Sequence, residues 1–70
     1  MIIDRIEIGK IWDGGFGDYH FQCRPAGSDK PFKVGTMYCE EFEAWKDGKV
    51  TLDEIRTVID PDVYKMLREM

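Results

Sequence analysis

Apolar and polar residues alternate along the first half of the chain and then change period. Ile6-x-Ile8-x-Lys10-x-Trp12 alternates, while Ile3 and Ile11 fall on the opposite parity. A phase change at Gly9 predicts a strand from Ile2 to Trp12 with a bulge or twist at the glycine. Asp13-Gly14-Gly15-Phe16-Gly17-Asp18 reads as a hairpin turn, because glycines supply the positive φ values a tight reversal needs. Tyr19, Phe21 and Cys23 then share one side of a half-buried strand, with His20, Gln22 and Arg24 on the other. The stretch Arg24 to Lys30 carries Pro25, Gly27, Ser28 and Asp29 and reads as a loop. Phe32-x-Val34-x-Thr36 gives a third short strand, with Pro31 at its start, where a missing donor is tolerated.

From about Met37 the spacing becomes helical. Tyr38, Phe42 and Trp45 recur at i, i+4 and i+7, with Glu40, Glu41 and Glu43 on the remaining surface. Asp47-Gly48 ends this helix with a left-handed glycine. Thr51-Leu52-Asp53-Glu54 has the form of a capping box, which predicts a second helix burying Leu52, Ile55, Val58 and Ile59. Asp60-Pro61 restarts the chain as cap and first helical residue, after which Val63, Leu67 and Met70 repeat on one face. The expected class is α+β: a three-stranded antiparallel meander, then two or three short helices packed on one face. At this length the chain makes a single domain, residues 1–70, with a β part over 1–36 and a helical part over 37–70.

Charge sharpens this division. The chain carries 10 basic and 14 acidic residues, a net charge of -4. Up to Cys39 the two signs balance, so the whole excess lies in the helical part. An acidic surface argues against a general nucleic-acid binder, which needs a basic patch for phosphates. No signal-like start and no apolar run long enough for a membrane span is present, so a cytoplasmic protein without membrane contact is expected. Reduced thiols are expected at Cys23 and Cys39, although a bridge between them would close a loop and stabilise by about 3 kcal/mol in an oxidising compartment. His20, Cys23 and Cys39 lack the second close pair of a zinc site, and strand alternation points His20 and Cys23 to opposite faces; no metal or cofactor is expected.

The segment from Glu43 to Ile55 resembles the calcium loop of an EF-hand over its second half. Asp47 and Gly48 stand at loop positions five and six, Val50 at eight, Thr51 at nine and Glu54 at twelve. The resemblance covers one loop and parts of two flanking helices, and it implies oxygens from Asp47, the Lys49 carbonyl and Glu54. Position one is Glu43 rather than aspartate, and position three is Trp45, which offers no oxygen. A capped helix connection is therefore the expected reading, with a calcium-binding helix hairpin as the alternative.

Other chemistry has little to stand on. The glycines at 14–17 precede a strand rather than a helix, so they do not make a phosphate cradle. Thr51 to Met70 has the length of a helix-turn-helix, but Arg56 and Asp60 occupy the places of its small residue and glycine, and Asp60, Asp62 and Glu69 repel phosphate. Tyr19, Phe21 and Phe32 would serve a small single-strand-binding domain only if they were not needed as core, and core is the expectation. With His20 and Ser28 alone of their kinds, no nucleophile, base and orienter can be named, and an enzyme is not expected. Carboxylate pairs such as Glu40 with Glu43, or Asp60 with Asp62, read as solvated surface. The remaining expectation is a small interaction module, an acidic inhibitor or adaptor of the kind found on phages and mobile elements, directed at a basic surface such as a host protein's nucleic-acid site. Its candidate contact residues are Phe16, Asp18, Glu40, Glu41, Glu43 and Asp47. Uncovered edges of so small a sheet also leave pairing between two copies open.

Overall fold

The computed structural model describes residues 1–69. It is α+β, a four-stranded antiparallel sheet of order β1-β2-β3-β4 followed by two helices. The strands are β1 (Ile2–Ile3), β2 (Ile6–Asp13), β3 (Asp18–Pro25) and β4 (Lys33–Tyr38). The helices are α1 (Cys39–Lys46) and α2 (Pro61–Arg68), with a single 3-10 turn at Leu52–Glu54 between them. No helix among the described residues is long and apolar enough to cross a membrane.

The first strand of the sequence pattern divides in two. Asp4 takes a left-handed φ of 54° and reverses the chain, so Ile3 pairs with Ile6 and Ile2 with Glu7. That conformation is unusual for a residue other than glycine. Trp45 holds it, its Nε1 donating to Asp4 Oδ2 at 2.7 Å. The bulge falls where the phase changes: pairing slips between Ile8 and Ile11, and Gly9 leaves room for the Gln22 and Phe32 side chains. The Lys10 amide, displaced from the ladder, donates instead to Gln22 Oε1. Because of the bulge, both Ile8 and Ile11 face the helices.

One face of the sheet carries the core. Phe21, Phe42 and Trp45 pack as an aromatic cluster, with Phe21 and Phe42 centroids 5.2 Å apart and Phe42 meeting Trp45 edge-on at 6.1 Å. Each buried aromatic contributes roughly 1.5–3 kcal/mol by leaving water. On β4 the core positions are Gly35 and Met37, one residue out of phase with the Phe32, Val34 and Thr36 pattern. Phe32 lies on the open face, beneath the Arg24 guanidinium at 4.2 Å, and does not join the core. Gly35 suits this position because a Cβ would stand 3.0 Å from the Phe21 ring and 3.1 Å from Val63, so that one or both would have to shift by a few tenths of an ångström.

Helix α1 starts one residue later than its spacing implies. Tyr38 ends β4 and is 59% exposed, while Phe42 and Trp45 are buried. The helix stops as its sequence dictates: Gly48 has φ 77°, with Lys49 N donating to Ala44 O and Gly48 N to Trp45 O, a Schellman closure. The capping box at Thr51 forms, Glu54 Oε1 accepting from the Thr51 amide and hydroxyl, but it opens only one 3-10 turn. The expected helix through Ile59 is absent. Glu41 Oε1 instead accepts from the amides of Arg56 and Thr57 and from the Thr57 hydroxyl, and Ile59 N donates to Thr36 O. These contacts satisfy the backbone in a non-helical form, which β-branched residues and the following Pro61 also favour. Leu52, Ile55 and Val58 are still buried, whereas Ile59 is 69% exposed. The segment thereby covers part of the outer edge of β4. In α2, Asp60 Oδ1 accepts from the Asp62 and Val63 amides and Pro61 opens the helix, with Val63 and Leu67 buried. Met70, expected on the same face, lies outside the described residues.

Candidate functional site

The most accessible aromatic of the described chain is Phe16, 90% exposed at the tip of the β2–β3 turn. Gly15 and Gly17 have φ of 89° and 76°, conformations that other residues rarely adopt. The turn is fastened by its own carboxylates. Asp13 Oδ1 accepts from Gly15 N at 2.8 Å and Asp18 Oδ1 from Phe16 N at 3.1 Å, while Gly14 N donates to Asp18 O. Cys39 N, at the start of α1, donates to Gly17 O at 3.0 Å and ties the helix to the turn. Nothing in the residue pattern alone singles out Asp13. Its carboxylate two residues before a glycine is an ordinary turn pattern whose value appears only once Phe16 is seen to project.

Of the expected contact residues, Phe16 and Asp18 share the turn and Glu40 follows Cys39, the residue bonded to it, with Tyr38 paired against Asp18 as an added exposed aromatic. Glu43 lies one turn further along α1 and pairs with Lys46 at 2.8 Å. Its carboxylate raises the Lys46 ammonium above its ordinary range. The Tyr19 hydroxyl is raised as well, first by the neighbouring Cys39 sulfur and then by Glu43. Asp47 is exposed at the far end of α1, eight residues and about 12 Å from the turn. Glu41 is occupied by the Arg56 and Thr57 donors, which gives it a structural role.

The alternative sites can be compared with the same geometry. In the segment that resembles a calcium loop, Glu43 and Trp45 are helical, Trp45 is 1% exposed, and Glu54 is bound to Thr51. The loop shape therefore does not carry over. Among the described residues no group of three or more His, Cys, Asp or Glu side chains is placed to hold a metal ion. The segment from Thr51 contains one α-helix rather than the two of a helix-turn-helix. Tyr19 and Phe21 pack on Phe42, so they cannot form a base-stacking platform. His20 points to the open face, where its Nδ1 lies 2.7 Å from Thr36 Oγ1 and its ring 5.7 Å from Trp12. Cys23 is buried on the other face, and burial pushes its thiol up to about 11. The cysteines are free. Cys39 lies beside Gly17 and Tyr19, and even Tyr19 is four residues along β3 from Cys23, or roughly 13 Å at strand rise, well outside disulfide reach.

A cleft of about 380 Å³ opens between the β1–β2 turn and α2, lined by residues including Asp4, Arg5, Asp53 and Arg68. Arg68 is spent on structure, donating to the carbonyls of Asp53 and Ile55. Comparison with protein-family models, curated proteins and solved structures finds no match.

Proposed function

We propose that this protein is a non-catalytic interaction module that presents Phe16 to an apolar pocket rimmed by basic side chains on a protein partner. The observation that carries this reading is the 90% exposure of Phe16 on a turn already fixed by two carboxylates. Aromatic side chains are the favoured anchors of interfaces, and a preorganised turn loses little entropy when it docks. Asp18 and Glu40 beside it, with Glu43 one turn away, favour a basic rim and speed encounter with it. An intracellular inhibitor or adaptor that covers a partner's nucleic-acid site fits this chemistry.

The test is affinity capture from host lysate with the wild-type chain and with Phe16→Ala, followed by titration of the captured protein. Phe16→Ala is expected to weaken binding by about 30-fold or more, the loss typical of a central aromatic anchor. Glu40→Lys with Glu43→Lys is expected to slow association and flatten its salt dependence. Binding of Phe16→Ala at wild-type strength would remove the anchor from the reading.

A further inference from the structure

We propose that two copies of this chain pair edge to edge through β2, with Trp12 opposite Trp12 of the second copy on a two-fold axis. The proposal shares Asp18 with the capture of a basic partner by Phe16 but does not rest on that capture.

The edge of β2 is only partly covered. Met1 and Ile8 exchange backbone bonds, Ile8 N donating to Met1 O and the Met1 amine to Ile8 O, and β1 reaches no further. Past the bulge, the outer side of the chain from Lys10 to Gly14 has no strand beside it among the described residues. Because Gly14 N donates to Asp18 O, Gly14 and Asp18 form a hydrogen-bonded pair. Antiparallel alternation then turns the N–H and C=O groups of Ile11 and Asp13 away from β3, toward the open edge. Four backbone groups stand unpaired on a strand with an exposed tryptophan, the kind of edge that recruits another strand.

Geometry restricts what a second copy can do there. A two-fold that joins two antiparallel copies of one strand runs perpendicular to the sheet and preserves its faces. Since side chains alternate, a residue can then oppose only residues of its own parity. The open stretch Lys10 to Gly14 has Trp12 at its midpoint, so the axis that uses all of it passes through Trp12. In that register Ile11 faces Asp13 of the other copy, and all four outward groups of each strand are paired. Each β1 falls beyond the point where the other copy's chain has already turned into β3.

Charge favours a second copy over an arbitrary strand. Lys10 opposes Gly14 of the other copy, and the space above Gly14 is filled by the Asp18 carboxylate, whose Oδ1 lies 2.5 Å from where a Cβ would stand. The edge is thus positive at one end and negative at the other about Trp12. An antiparallel copy sets each Lys10 toward the opposing Asp18, on both sides of a tryptophan pair in the close, non-hydrogen-bonded position.

The experiment is cysteine cross-linking with sedimentation. A Trp12→Cys chain in a Cys39→Ser background, shown to be folded by Trp45 fluorescence, is oxidised mildly and run without reductant. Opposed Cα atoms about 4.5 Å apart lie within disulfide reach, so a covalent dimer is expected. Lys10→Cys in the same background is expected to stay monomeric, because the two copies of residue 10 lie four residues apart along the strand. Sedimentation of the wild-type chain is expected to show a concentration-dependent dimer that Lys10→Glu weakens at least tenfold. A wild-type chain that stays monomeric to its solubility limit, or Lys10→Cys linking as readily as Trp12→Cys, would overturn the proposal. Neither result touches the capture of a partner by Phe16, which is read from Phe16→Ala.

Discussion

Glu41 offers the sharpest test of how this chain is held together. Its Oε1 accepts from Arg56 N at 2.9 Å, Thr57 N at 3.2 Å and Thr57 Oγ1 at 2.9 Å, joining α1 to the non-helical segment that covers the β4 edge. Replacing Glu41 with alanine strands all three donors. The two Thr57 groups are part-buried and lose about 1 kcal/mol each, while the exposed Arg56 amide regains water and loses less. The expected loss is about 2–3 kcal/mol, a large share of the stability of a domain this small. At roughly 4–8 °C per kcal/mol, the melting temperature falls by about 10–20 °C. Glu41→Gln keeps an acceptor in place without its charge and loses about half as much. The assay is urea unfolding followed by the fluorescence of buried Trp45 in a Trp12→Phe background. A Glu41→Ala chain within about 0.5 kcal/mol of its parent would show that these bonds do not hold the segment, and the structural role assigned to Glu41 would fail.

Three further outcomes follow from single contacts. The Cys23 thiol is raised from 9.0 to about 11 by burial, with Asp60 adding to the shift, so the folded state holds this proton more tightly than the unfolded chain. Stability is therefore intact below pH 9 and falls as pH rises toward 11, by on the order of 2–3 kcal/mol from this group. Urea unfolding across that range is expected to show a shallower decline in Cys23→Ala. Gly35→Ala forces a Cβ against Phe21 and Val63 and is expected to destabilise by about 1–3 kcal/mol in the same assay. Trp45→Phe removes the donor to Asp4 and is expected to lose about 2 kcal/mol, with amide exchange rising first in β1, whose reversal that bond secures. An unchanged exchange pattern there would mean that Asp4 holds its conformation without Trp45.

How much was readable in advance varies residue by residue. The glycine turn, the end of α1 at Gly48 and the Asp60-Pro61 start of α2 were legible because each rests on bonds between residues close in sequence, and the bulge because a glycine marks the change of phase. The exposure of Phe16 is decided by the fold, since a tip aromatic can also fold back over its own sheet. Two errors share one cause. Ile55, Val58 and Ile59 fit a helical face as well as they fit an extended run, and Tyr38 fits the last residue of a strand as well as the first of a helix. In both places the choice fell to partners far along the chain: Glu41 and Thr36 for the segment after Glu54, and the Asp18 pairing for Tyr38.

The sequence by itself determined the glycine turn, the stop at Gly48, the Asp60-Pro61 start and the change of period near Met37, and therefore the α+β class, because those features are local in their physics; the reversal at Asp4, which Trp45 secures from far along the chain, was not among them. The tertiary structure alone decided which phase of β4 faces the core. Phe32-Val34-Thr36 is the more apolar set, yet Gly35 and Met37 point inward, where the missing Cβ of Gly35 lets Phe21 and Val63 pack closely over the strand. It also decided the role of each carboxylate. The six acidic residues Asp13, Asp18, Glu40, Glu41, Glu43 and Asp47 read alike in one dimension. In the fold Asp13 and Asp18 fasten a turn, Glu41 latches a distant segment, Glu43 pairs with Lys46, and Glu40 and Asp47 are left to solvent, because a charge does what its nearest donors allow.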